Sequence, residues 1–204
     1  YDNTNVQTKG IPMNYRMMSR FISLILLVEA IFMLPALALA LWDHNMTVAL
    51  AFLEGMGATL LVSVILHAFS RKARKGFFAK EGLACVAISW IIMSLLGCLP
   101  FFLSGEIPNY VDALFEIVSG FTTTGASILP EVESHSRAVL YWRSFSHWLG
   151  GIGVLVFLLA IAPSGGAAGG FTMHLLRAES PGPNVGKLVP RMRETAKILY
   201  IMYI

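Results

Sequence analysis

Hydrophobic and polar positions along this chain follow two different length scales. Apolar runs cover residues 21–42, 47–69, 81–103 and 138–163. Each reaches about 20 residues, the length an α-helix needs to cross a bilayer. Asp43-His44-Asn45 makes a short polar turn after the first run, and Arg71, Lys72, Arg74, Lys75 and Lys80 follow the second. Between the third and fourth runs the scale changes. From Asn109, the apolar residues Val111, Leu114, Phe115 and Val118 recur at helical spacing on one face. Asn109 suits an N-cap, and Asp112 falls in the first turn, where the helix dipole favours negative charge. Gly120 is expected to end this helix, at about half the length of a bilayer crossing. A half-length helix between two spanning ones predicts a re-entrant hairpin that enters and leaves on the same side.

The residues after that helix carry the candidate chemistry: Phe121-Thr122-Thr123-Thr124-Gly125-Ala126-Ser127. Threonine is β-branched and prefers extended backbone, whereas Gly125 tolerates dihedrals that threonines resist. Non-helical backbone at membrane depth survives only where it is buried in protein or lines a water-filled path. Carbonyl oxygens held in a row can replace the water shell of a cation, and the negative end of the short helix points at that row. The stretch Thr122 to Ala126 is therefore a candidate monovalent cation filter. Threonines before a glycine also suit a plain helix end and turn. The short helix and the flanking spans favour the filter.

Composition narrows the class. Hydrophobic residues make up 56% of the chain and charged residues 13%, as expected for an integral membrane protein. The net charge is only +3, and the basic residues flank apolar runs instead of forming one stripe, so nucleic acid is not an expected partner. The basic cluster after residue 69 places that end in the cytoplasm, with the N-terminus inside and the Asp43 turn outside. The segment Ser104 to Ser136 holds Glu106, Asp112, Glu116, Glu131 and Glu133 and no Lys or Arg. It is expected outside, as an acidic vestibule that concentrates cations or as ordinary solvated loop charge. Tyr141 and Trp142 suit an interfacial belt. Arg177, Lys187, Arg191, Arg193 and Lys197 mark a second cytoplasmic stretch.

The remaining features are read as structural. Cys85 and Cys98 share one run, about 20 Å apart if helical, too far for a disulfide. Glu29 and Glu54 are ionisable residues within spans, Glu29 expected to pair with a neighbouring helix and Glu54 to lie near the outer interface. His147 has no second ligand at metal spacing. Gly150, Gly151 and Gly153 permit close backbone approach, equally suited to lining a pore and to helix packing. Ala36-Leu37-Ala38-Leu39-Ala40 has the look of a signal cleavage site, but the run before it is longer than a signal core, and a retained helix is expected. Ser164 to Gly170 is a flexible linker lacking the GK[ST] of a phosphate loop.

Three stretches, FEIVSGFTTTGAS, YWRSFSHWLGGIGVLVFLLAIAP and AESPGPNVGKLVPRMRETAKILYIMY, resemble the TrkH/TrkG/KtrB family of bacterial potassium uptake proteins, in particular its TrkH branch. The resemblance implies an all-α integral membrane fold: an N-terminal helix pair, then one M1–pore helix–M2 repeat of a potassium-channel-like fold, then the start of a second repeat. The expected divisions are a mobile terminus (1–15), the helix pair (16–70), a cytoplasmic basic loop (71–80), the first repeat (81–163), a cytoplasmic linker (164–190) and a truncated second repeat (191–204). Thr123 and Thr124 correspond to the family's potassium-ligand positions, with Thr122, Gly125 and Ala126 flanking. The family also implies potassium as transported ion with no cofactor, a homodimer in the bacterial inner membrane, and a cytoplasmic TrkA-type nucleotide-binding regulatory subunit. One filter strand of four is present, so the chain alone is not expected to conduct. Two other classes stand beside this reading. One is a non-conducting assembly or regulatory subunit. The other is an intramembrane enzyme using His147, Glu116 or Ser119, although no nucleophile elbow or metal set accompanies them.

Overall fold

The computed structural model describes residues 14–70 and 79–153. These residues are helical apart from turns and one irregular stretch: α1 (Tyr15–Trp42), α2 (Met46–Phe69), α3 (Ala79–Gly97), α4 (Leu99–Leu103), α5 (Tyr110–Phe121) and α6 (Arg137–Ile152), with a 3-10 turn at Val132–Ser134. Among the described residues, Tyr15–Trp42, Met46–Phe69 and Gly82–Leu103 are long and apolar enough to cross a membrane. The all-helical membrane architecture read from the sequence is thus present. The linker at 164–190, the second-repeat start at 191–204, the basic loop at 71–78 and the last part of the fourth run lie outside the described residues.

Polar side chains start the helices. Asn14, Asn45 and Asn109 accept hydrogen bonds from the backbone N–H of Met17, Val48 and Val111, and Ser136 accepts one from Val139. Each satisfies an N–H that the first turn leaves without a partner. The cap at Asn14 starts α1 at Tyr15, six residues before the expected Phe21 and at the end of the stretch expected to be mobile. The α1–α2 turn is also closed by backbone bonds. His44 N–H donates to Leu41 and Asn45 N–H to Ala40, with His44 at φ 54° in the left-handed position that glycine usually takes. α1 continues through Ala36 and Ala40, which are buried.

The third run differs from a single straight helix. It divides into α3 and α4 at Cys98, because Pro100 stands at the start of α4 and has no N–H to continue the ladder. The fourth run is described only as far as Gly153. α6 ends at Ile152, and Gly153 follows at φ 81°.

Unlike a water-soluble bundle, this one has an apolar outer surface, and hydroxyls are among the side chains buried with its apolar core. Leu61, Val64, Ile65 and Ile91 are exposed, while Ser23, Thr59, Ser63, Ser89 and Ser146 are buried. Outward aliphatics and inward hydroxyls suit a hydrocarbon solvent. The buried hydroxyls satisfy themselves on backbone: Ser63 donates to the Ser23 carbonyl at 2.7 Å, Thr59 to Gly55 at 2.9 Å and Ser89 to Cys85 at 2.7 Å. α1 runs through the middle, packed against α2, α3 and α6. Met18, Ile22, Ile25, Leu26 and Met33 give it a continuous buried stripe. Cys85 and Cys98 are both buried free thiols. α1 and α6 meet through Phe32, whose ring lies 4.8 Å from that of Phe145.

Candidate functional site

The site is built on α5 and the chain that returns from it. α5 exposes Val111, Phe115 and Val118 and buries Ala113, Glu116, Ile117, Ser119, Gly120 and Phe121. Three residues of the apolar stripe read from the sequence therefore face outward while Leu114 is half-buried against the core, and the inward face mixes small and polar residues with Ile117 and Phe121. Gly120 does not end the helix. It lies inside the last turn because α6 presses on it there, and a Cβ at Gly120 would collide with Ser146 Oγ. The helix ends one residue later at Phe121, capped by Thr122. Gly150 has the same role from the other side, since a Cβ there would collide with the Phe121 carbonyl. Packing against α5 is thus the use the structure makes of Gly150.

Beyond Phe121 the backbone reverses. Thr122 and Thr123 form a turn instead of the extended strand expected of β-branched residues. Thr123 reaches φ 55°, a left-handed conformation unusual for a β-branched residue. The turn is held by Thr123 N–H to Gly120 at 2.9 Å and Thr124 N–H to Ser119 at 3.0 Å. Thr122 Oγ1 donates to the Val118 carbonyl at 2.8 Å and lies 2.8 Å from Thr124 Oγ1. From Thr124 the chain runs without regular structure, with Gly125 at φ 75° and open space where its Cβ would stand. At Gly125 the backbone angle, and not crowding, asks for glycine.

Thr122 to Ile128 are exposed. Among the described residues, no hydrogen bond reaches the carbonyl oxygens of Thr122, Thr123, Thr124 or Gly125. The Ala126 carbonyl is different. It accepts the Ser119 hydroxyl at 2.5 Å and so turns back toward α5.

A buried carboxylate holds the return strand in place. Glu116 is 1% exposed and receives Ser127 Oγ at 3.0 Å and Ile128 N–H at 3.0 Å. Arg143 of α6 donates its Nε–H to the same carboxylate and neutralises it. Both carboxylate oxygens are engaged, which a buried charge requires. This clamp was missed in the sequence reading, which placed Glu116 with the outer acidic residues and left Arg143 unused. The available signal was a lone arginine inside an apolar run, a residue that needs an anionic partner at that depth.

Other candidates separate on the same map. Glu106 is occupied by His135 Nδ1 at 3.2 Å and Ser136 N–H at 3.0 Å, so of the acidic segment only Glu131 and Glu133 stand exposed beside half-buried Asp112. His147 places Nδ1 2.9 Å from the Arg143 carbonyl, and Ser119 is engaged with Ala126. The groups considered for an enzyme thus each have a structural bond. Glu54 is exposed on α2. Glu29 is fully buried and has no hydrogen-bond partner among the described residues, against the expected pairing with a neighbouring helix. No cluster of potential metal ligands occurs among the described residues.

Comparison with known proteins bears on the same segments. The TrkH family, described as "Cation transport protein", matches residues 49–204. The potassium uptake protein TrkH of Halomonas elongata is 35% identical over 199 residues, covering 94% of this chain and 39% of that protein. TrkH of Escherichia coli K12 is 35% identical over 196 residues, with the same coverage of 94% and 39%. Among solved structures, the potassium transporter TrkH from Vibrio parahaemolyticus superposes with a TM-score of 0.72 at 27% identity, covering 94% of this chain and 37% of that one. The chain spans 39% of the length of these curated relatives.

Proposed function

Since the chain belongs to the TrkH family of cation transport proteins, we propose that Thr122 to Gly125 form one strand of a potassium filter in a longer transport protein. The observation that carries this reading is the set of carbonyl oxygens at Thr122–Gly125 that accept no hydrogen bond among the described residues. They follow directly on the C-terminal end of α5, whose partial negative charge favours a cation. Such oxygens can take the place of a cation's water. Thr123 and Thr124 are the ligand positions, with Thr122 and Gly125 beside them. Ala126 serves as an anchor, because its carbonyl is spent on Ser119.

The remaining assignments extend the same reading. The protein is a pore-forming subunit of a Trk-type potassium uptake system in the bacterial inner membrane, acting as a homodimer with a TrkA-type cytoplasmic regulator. Residues 16–70 form the accessory helix pair and 81–163 the first repeat. The segment 104–136 faces outside with the Asp43 turn. The Arg137–Asp43 ion pair at 3.0 Å supports putting those two on one side of the membrane.

Growth of uptake-deficient cells on limiting potassium tests the reading with the full-length protein. Gly125→Asp, which places a side chain and a charge at a left-handed position, is expected to abolish growth and potassium flux. Unchanged uptake and selectivity with normal membrane abundance would remove the filter assignment.

A further inference from the structure

Glu29 is the one buried side chain among the described residues whose oxygens both lack a hydrogen-bond partner. It stands at the middle of α1, at 0% exposure. Its surroundings are defined by Gly97 at the end of α3. A Cβ on Gly97 would lie 2.7 Å from Glu29 Oε1 and 3.4 Å from both Ile117 Cγ1 and Phe121 Cε2. The carboxyl therefore reaches, from the accessory helix pair, the spot where α3 meets the last turn of α5. Phe121 is the final residue of that helix and precedes Thr122. The indole Nε1–H of Trp142 donates to the Gly97 carbonyl at 2.8 Å and is therefore not available to Glu29.

The titratable and charged groups on the surrounding helices do not neutralise it. Cys98 bonds the Leu95 carbonyl at 3.4 Å, and Tyr110 bonds the same carbonyl at 3.1 Å. Glu116 and Arg143 are committed to each other, His147 to the Arg143 carbonyl, and Glu54 is exposed. Among the described residues Glu29 has no salt bridge. An ionised carboxylate placed so, beside the negative end of a helix, is strongly disfavoured, whereas a neutral acid is tolerated.

We propose that Glu29 is a proton-binding site behind the filter, and that the bound proton lets α1 seat the end of α5 against Gly97. Loss of the proton places an unpaired charge against Phe121 and loosens the turn that presents Thr122–Gly125. The flux arm of the test rests on the filter reading above, and the spectroscopic arm does not.

The full-length protein is reconstituted in liposomes and titrated from acidic to alkaline pH. Infrared difference spectra of the wild type should show the carbonyl stretch of a protonated carboxylic acid that disappears on alkalinisation, and Glu29→Gln should lack that band. Rubidium flux of the wild type should fall through the same single-proton step, while Glu29→Gln, which keeps the shape without an exchangeable acid proton, conducts with a flat profile. Glu29→Leu should also give a flat profile and guards against a packing defect specific to the amide. A band unchanged by Glu29→Gln overturns the proposal, as does a pH step that survives in both variants or is missing from the wild type. Absence of flux in every protein, with the band behaving as expected, would strike the filter reading and leave the proton site standing.

Discussion

The α1–α2 pair and the α5–α6 hairpin solve one problem in opposite ways. Backbone polar groups in a bilayer need partners, and a long helix supplies them from within itself. α1 and α2, at 28 and 24 residues, do so, and their few buried hydroxyls fold back onto nearby carbonyls. α5 has only 12 residues and then gives up helical bonding. There side chains must do what the ladder does elsewhere. Glu116 bonds the return strand, Ser119 bonds Ala126, and Arg143 compensates the charge. The pair is a self-contained support. The α5–α6 region is held by a small number of polar contacts, and among the described residues the carbonyl oxygens of Thr122–Gly125 accept no hydrogen bond.

That contrast is open to direct attack. The largest effect is expected from Arg143→Ala, which strands the buried Glu116 charge. Breaking one partner of a buried pair costs roughly 3–5 kcal/mol. The variant should lose folded protein on detergent size-exclusion and thermal unfolding, and Glu116→Gln with Arg143→Met together should recover part of it. Next is Gly150→Ala, which drives a methyl into the Phe121 carbonyl. Overpacking of this kind costs about 1–3 kcal/mol, and flux should fall more than stability because the displaced residue adjoins the filter. Ser119→Ala removes the bond to Ala126 and should cost about 1 kcal/mol, read as a change in potassium over sodium preference in competitive uptake. The smallest effect belongs to the helix pair. His44→Gly relieves a left-handed residue and should stabilise by up to about 1 kcal/mol in thermal unfolding, leaving flux unchanged. Equal sensitivity of both regions to such changes would erase the distinction between them.

Much of the architecture was legible because it depends on local pattern. Run lengths gave three helices of membrane-crossing length, the Asp43-His44-Asn45 turn separated the first two, and Asn109 with the apolar spacing after it gave the short helix α5. What escaped depends on contacts distant in sequence. The break at Cys98 is an exception, missed although Pro100 marks it locally, whereas the end of α5 was not readable, because Gly120 serves α6 packing and not helix termination. The turn at Thr122–Thr123 overrides β-branched preference through bonds to Ser119 and Gly120. The Glu116–Arg143 clamp joins residues 27 positions apart, and no periodicity announces it. Of the expected stripe Val111, Leu114, Phe115 and Val118, three residues share an exposed face and Leu114 packs against the core, because spacing alone does not say which way a face turns.

The most direct measurement is anomalous scattering from crystals of the full-length protein grown in rubidium. The account expects rubidium density within coordination distance of the carbonyl oxygens of Thr123 and Thr124, with the Glu116 clamp intact behind them. Density confined to other parts of the protein, with those oxygens bonded inside the protein or facing lipid, would contradict it.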